Sequence, residues 1–200
     1  SRYTDVPEKP QLIEAQNRVR AKLIGFTQPL ATTLRDYPES DTSIAARYAR
    51  AIAWYRVPDL PKALPMIDAL IADEPENPYF YELKGQMLFE SGRIAEALKP
   101  YEKAVELAPD EPLIEVGLAK VQLETNNQAL TLPALKNLET AVQREPGMAD
   151  AWRLLTVAYS RLGRNGETAL AQAEYSMLLG ERNQSRVLAE RAMGILPQGS

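Results

Sequence analysis

From Asn77 to Asp110 the chain runs NPYFYELKGQMLFESGRIAEALKPYEKAVELAPD, with apolar and polar positions recurring at helical spacing in two blocks around Glu90-Ser91-Gly92-Arg93. The pattern predicts two amphipathic helices joined by a tight turn, and Pro109 punctuates the end because proline cannot continue a helix. Upstream, QLIEAQNRVRAKLIGF carries a helical apolar face and PLATTLRDYP follows as a short partner, which predicts a degenerate capping pair from Gln11 to Pro38. Near the other end, RNQSRVLAERAMGIL predicts a final helix with a charged outer face.

The block recurs. Prolines close segments at Pro75, Pro109, Pro146 and Pro197, and the first interval is 34 residues. The second is 37, which an insertion of three in the turn TNNQALT accounts for, at a surface position where extra residues leave packing undisturbed. The third is 51, one and a half periods, so a helix near 168–179 must close one unit and open the next. Counting Pro78 as position 1, Tyr81 stands at 4, Gly85 at 8, Gly92 at 15, Ala97 at 20, Tyr101 at 24, Ala104 at 27 and Pro109 at 32. Gly85 and Ala97 let two antiparallel helices approach closely, and the tyrosines fill the gaps around that approach. The same slots hold Ala51, Trp54 and Ala63 in one copy, Leu118, Ala119, Ala134, Leu138 and Ala141 in another, and Trp152, Leu155, Tyr159 and Gly163 in a third.

This register resembles the tetratricopeptide repeat family across most of the chain. The resemblance implies an all-α fold, a right-handed α-solenoid of antiparallel helix pairs with about eleven helices and no sheet. The expected organisation is a flexible leader at 1–9 and a single solenoid at 10–200. The solenoid divides into a degenerate capping pair at 10–41, repeats at 42–76, 77–110, 111–148 and 149–182, and a terminal capping helix at 183–200. Some residues depart from the pattern. Arg50 and Lys84 occupy the usually apolar position 7 and Arg47 occupies position 4, so either the first helices rotate or these side chains snorkel. Pro65 and Pro100 fall inside second helices, where a kink is expected.

Composition restricts function more than fold. With 45% hydrophobic and 25% charged residues the chain is too apolar for disorder. A net charge of −4 gives no general attraction to phosphate backbones, which disfavours RNA-reading helical repeats and nucleic acid in general. No apolar run approaches the ~18 residues of a membrane span, so no direct membrane insertion is expected. The start, SRYTDVPEKP, lacks an initiator Met and a signal core, as expected of a piece of a longer protein. The chain has no His and no Cys, which removes the commonest general base, the commonest transition-metal ligand and every thiol reaction. GxGxxG, GxxxxGK[ST], GxSxG and HExxH are all missing from it. The sequence predicts a chain that is not an enzyme and carries no catalytic, metal or cofactor site.

A solenoid of this kind offers a concave groove lined by positions 2, 5, 9, 12 and 13 of each first helix. That assigns Tyr48, Ile52, Tyr55 and Arg56, then Tyr79, Glu82, Gln86, Phe89 and Glu90, then Val116, Lys120 and Leu123, then Arg153 and Val157 to the groove. Aromatic and Arg side chains are the usual anchors of binding surfaces, so a protein or peptide ligand is expected there, with Tyr48, Tyr55 and Phe89 as its anchors. The competing expectation is that these residues shield a neighbouring helix or lie solvated. Repeats that clamp a peptide's terminal carboxylate place Lys and Asn at positions 5 and 9, where this chain has Tyr48 and Ile52, then Glu82 and Gln86, so that clamp is not matched.

The run DTSIAARYARAIAWYRVPDLPKALPMIDALIADEPENPYFYELKGQMLFESGR, together with RAKLIGF before it and NPYF.ELKGQ within it, resembles a narrower group. These are the HExxH zinc metallopeptidases of the Gram-negative envelope with a C-terminal tetratricopeptide array, the β-barrel assembly-enhancing protease family. The resemblance implies a periplasmic role in outer-membrane protein quality control, with the array docking assembly machinery or its clients and an upstream zinc domain cutting. None of that family's zinc ligands, nor its catalytic Glu, has a counterpart here, so none is carried over. The alternative is a free-standing adaptor or scaffold unrelated to a protease.

Overall fold

The structure is a computed structural model and describes residues 10–196, so the 1–9 leader and Pro197 lie outside it. Eleven α-helices and no strand occur among the described residues. The first five are α1 (Pro10–Thr27), α2 (Leu30–Asp36), α3 (Ile44–Arg56), α4 (Leu60–Asp73) and α5 (Pro78–Glu90). They are followed by α6 (Ile94–Leu107), α7 (Pro112–Glu124), α8 (Thr131–Arg144), α9 (Ala149–Arg161), α10 (Asn165–Leu178) and α11 (Arg182–Ile195).

Local chemistry sets the boundaries. Ser43 Oγ accepts from the Ala46 amide at 3.2 Å and Asp59 Oδ1 from the Lys62 amide at 3.2 Å, satisfying amides that α3 and α4 would otherwise leave bare. Between α5 and α6, and again between α9 and α10, a glycine takes positive φ, Gly92 at 76° and Gly163 at 70°. The amide after each bonds back into the finished helix, Arg93 to Leu88 O at 2.9 Å and Arg164 to Tyr159 O at 3.0 Å, which reverses the chain in three residues. Six residues separate α7 from α8 instead of three. The inserted stretch winds into a 3-10 turn, Gln128–Leu130, whose first amides are capped by Asn127 Oδ1 accepting from Ala129 N at 3.1 Å.

The chain forms two compact units, one ending at Met87 and one beginning at Leu88. In the first, Tyr48, Ile52, Ile67, Leu70, Phe80, Leu83 and Met87 build the core. Each such side chain removed from water stabilises the fold by roughly 1.5–3 kcal/mol. The second unit packs Leu123, Leu138, Leu154 and Leu155 among Ala119, Ala134, Ala141, Ala151 and Ala158. The alanines thin the contact faces so that helix axes come close while the leucines fill what remains.

The departures from the repeat have specific resolutions. Arg50 neither snorkels nor turns its helix: it is 6% exposed, and its Nη1 donates to the carbonyls of Tyr37 (3.2 Å), Pro38 (2.7 Å) and Asp41 (3.0 Å). A buried cation is tolerable when hydrogen bonds replace its lost water, and here the α2–α3 connection supplies them. Lys84 reaches Asp68 of α4 at 2.7 Å and Arg47 pairs with Asp73, both at partly exposed sites. α4 and α6 run unbroken through Pro65 and Pro100.

The turn prolines share a further device. The carbonyl of Pro38 accepts from Arg50, that of Pro75 from Tyr81 Oη at 3.0 Å, that of Pro109 from Arg144 Nη1 at 2.7 Å, and that of Pro146 from Trp152 Nε1 at 2.8 Å. Tyr81 and Trp152 both hold position 4, each six residues after its proline. The aromatic slot of the repeat therefore fills space and also ties down the preceding turn.

Candidate functional site

In the first unit the expected anchors of α3 are not available to a ligand. Tyr48 is 2% exposed, Ile52 0% and Tyr55 9%, and all three belong to the core. This corrects the anchor reading of Tyr48, Ile52 and Tyr55, and the physical reason is α1. That helix packs along α3 and covers the positions a groove would display. Phe26 of α1 meets Tyr55 edge-on, ring centroids 6.4 Å apart at 88°. Burial pushes the Tyr48 hydroxyl well above the usual tyrosine range, and its oxygen has no hydrogen-bond partner.

Of the other predicted groove residues of this unit, Glu82 and Tyr79 meet α1. Glu82 accepts from Lys22 Nζ of α1 at 3.3 Å, Tyr79 is 42% exposed with Lys22 5.9 Å above its ring, Gln86 is half-buried, and Arg56 is exposed at the end of α3. Arg18 of α1 donates to Glu74 Oε2 at 3.1 Å, and Asn77 Nδ2 donates to the same oxygen at 2.7 Å. The apolar face of α1 alone does not disclose the role of its basic residues. The signal available was RAKLIGF, where Ala21 and Gly25 stand four apart and permit close seating of a helix.

In the second unit the first helices keep an accessible face. Phe89 is half-buried, and Lys120 of α7 holds its ammonium 5.1 Å from the ring centroid, a cation–π contact between successive first helices. Glu90 and Arg153 are exposed, and Arg153 bonds Asp150 Oδ1 through Nε (2.9 Å) and Nη2 (2.6 Å). Val157 packs partly buried against the core. Val116 and Leu123 are buried, at 6% and 2% exposure, and leave the groove list because they belong to the core of the second unit, among residues of α8 and α9. A polar cluster not anticipated lies alongside: Tyr159 donates to Glu139 Oε1 at 2.8 Å with the Arg164 guanidinium 4.8 Å over its ring. Burial, then the bond to Glu139, pushes the Tyr159 hydroxyl up, so it stays a neutral donor.

Among the described residues no group of three or more His, Cys, Asp or Glu is placed to hold a metal ion, and no helix is long and apolar enough to cross a membrane. The accessible helix faces carry an aromatic ring, paired cations and carboxylates.

Comparison with known proteins agrees with the helical-repeat fold. The tetratricopeptide repeat model matches residues 48–112. The chain is 25% identical over 157 residues to the β-barrel assembly-enhancing protease of Yersinia pestis, covering 78% of this chain and 32% of that protein. It is 32% identical over 96 residues to tetratricopeptide repeat protein 33 of Xenopus laevis, covering 48% of this chain and 36% of that one. It thus spans about a third of the length of these relatives. Among solved structures, YrrB, described as a tetratricopeptide protein with an unusual peptide-binding site, superposes with a TM-score of 0.65 at 16% identity over 87% of this chain and 90% of its own. A mutant of MamA gives 0.62 at 14% identity over 85% and 99%. At such identities the likeness is one of fold.

Proposed function

We propose that this chain, an array of tetratricopeptide repeats that acts as a protein-interaction module, docks its ligand on the accessible first-helix face of its second unit. The observation that carries the reading is the contact of Phe89 with Lys120, an aromatic ring and a cation from successive helices that both remain partly accessible. Such pairs serve as anchors because the ring supplies apolar area at little entropic cost and the cation supplies orientation. Against a partner captured from its source, Phe89→Ala with Lys120→Glu should weaken binding about tenfold or more, the range of a lost anchor. An unchanged affinity in a folded variant would move the site elsewhere.

The finer reading is that the array is the substrate- or partner-docking tail of an envelope zinc metallopeptidase in outer-membrane protein quality control, working in the periplasm on assembly machinery or its clients. The likeness to the β-barrel assembly-enhancing protease over most of this chain supports it. The zinc would be held by an HExxH helix in another part of the parent, since this sequence has no His. The array then acts by proximity, raising the local concentration of client at the protease. Deleting it from the parent should impair processing of a folded client far more than cleavage of a short unstructured peptide. Equal impairment of both would make the array a structural support, and a parent gene without HExxH would end the reading.

A further inference from the structure

The first unit carries a groove that its own N-terminal helix fills. Positions 5, 9 and 12 of α3 face α1, and α1 lies against them through small residues: Ala21 is fully buried, and a Cβ built on Gly25 would stand 2.8 Å from Ile52 Cβ and 2.9 Å from the Ala49 carbonyl. Two cations four residues apart, Arg18 and Lys22, reach carboxylates outside α3, Glu74 at 3.1 Å and Glu82 at 3.3 Å. The seat is thus chosen by shape and by charge, with small residues inward and basic residues towards an acidic rim.

The fit is incomplete in three respects. A cleft of about 330 Å³, open to the surface, remains beside α1 between Ala15 and Val19 of that helix and Tyr48, Tyr79 and Phe80. The Tyr48 hydroxyl, buried next to it, has no partner. Val19 and Leu23 of α1 are 61% and 60% exposed, so the apolar burial of this helix rests on Phe26 and its small residues. The cleft is room on the groove that α1 does not occupy, and an unpaired buried hydroxyl is a standing cost.

We propose that α1 is a displaceable occupant of this groove, and that the groove's partner is a helical segment of another protein with basic residues at i and i+4 and small residues at i+3 and i+7. Those offsets are the ones Arg18, Lys22, Ala21 and Gly25 occupy. Glu74 and Glu82 select the basic pair, the close approach at Ile52 and Ala49 selects the small residues, and a side chain larger than Ala15 would fill the cleft. The groove is separate from the face argued above, and the two are tested by different residues.

The test uses the full 200-residue chain and a fluorescein-labelled synthetic peptide of the α1 sequence, PQLIEAQNRVRAKLIGFT, read by fluorescence anisotropy. Gly25→Leu collides with Ile52 and the Ala49 backbone and should release α1, so the peptide binds the variant at least about tenfold more tightly than it binds the unaltered chain. Adding Glu82→Lys should abolish the gain, and a peptide with its Lys22 equivalent changed to Glu should restore it. Hydrogen exchange supplies the control: in the Gly25→Leu chain, α1 amides should lose protection while α3 and α5 keep theirs. Loss of protection throughout would show α1 to be an indispensable part of the core and would overturn the proposal. So would a released α1 with no gain in peptide binding, or a gain indifferent to the charge at residue 82.

Discussion

At the residue scale, the informative positions are polar groups in apolar slots. Arg50 stands where the repeat expects an aliphatic side chain, and its three carbonyl partners make it the fastener of the α2–α3 connection. Arg50→Met should therefore destabilise the first unit by on the order of 3 kcal/mol despite its better hydropathy, because the carbonyls of Tyr37 and Asp41 lose this donor and that of Pro38 keeps only the Asp41 amide. A melting temperature at or above that of the unaltered chain would refute the fastener role. Glu115 in the second unit behaves in the opposite sense. Burial raises its pKa above the ordinary 4.5, against the opposing pull of Arg144, so the folded state holds its proton more tightly than the unfolded chain does. Its contribution to stability is full below pH 4.5 and is lost as pH rises through the raised value. Glu115→Gln should melt above the unaltered chain at pH 7, with the difference shrinking towards pH 4 in paired thermal melts; a difference independent of pH would show that Glu115 does not titrate in this way. Neither role was legible beforehand. Sequence marks Arg50 as out of pattern, but it cannot say which carbonyls a distant connection brings within reach.

At the element scale, the repeat register was readable because it is written in residues with narrow tolerances. Gly92 and Gly163 mark the reversals, the buried alanines mark the close faces, and the prolines mark the ends, each for a steric reason that survives without an alignment. The longer α7–α8 connection was equally legible as a phase shift in the proline spacing. Side-chain direction on the first helices was legible only in part. Positions 5, 9 and 12 of α3 are covered by α1, and its seating includes ion pairs spanning 56 and 60 residues of sequence. Trp152 adds a second function to a slot recognised only for packing. Trp152→Phe keeps the aromatic body yet frees the Pro146 carbonyl, and should cost about 0.5–1.5 kcal/mol in urea melts. An unchanged midpoint would mean that water replaces the bond fully.

At the scale of the whole molecule, composition was readable before any fold was known: the chain has no imidazole or thiol to offer, and among the described residues it presents only helix faces and turns. What composition could not supply was which faces are open. The Arg144 contact shows a different property of the array, its response to force. From the end of α8, Arg144 holds the Pro109 carbonyl at 2.7 Å and Asp110 at 2.6 Å, so it closes the base of the α7–α8 pair like a latch. When the two ends of the chain are drawn apart, tension should pass across this latch and leave the 35 residues behind it unloaded until it opens. Its opening would then release roughly 120 Å of slack at once, at ~3.3–3.6 Å per residue. In an optical trap, Arg144→Ala should yield the same contour length at a visibly lower force, and an identical rupture force would show that helix packing alone carries the load.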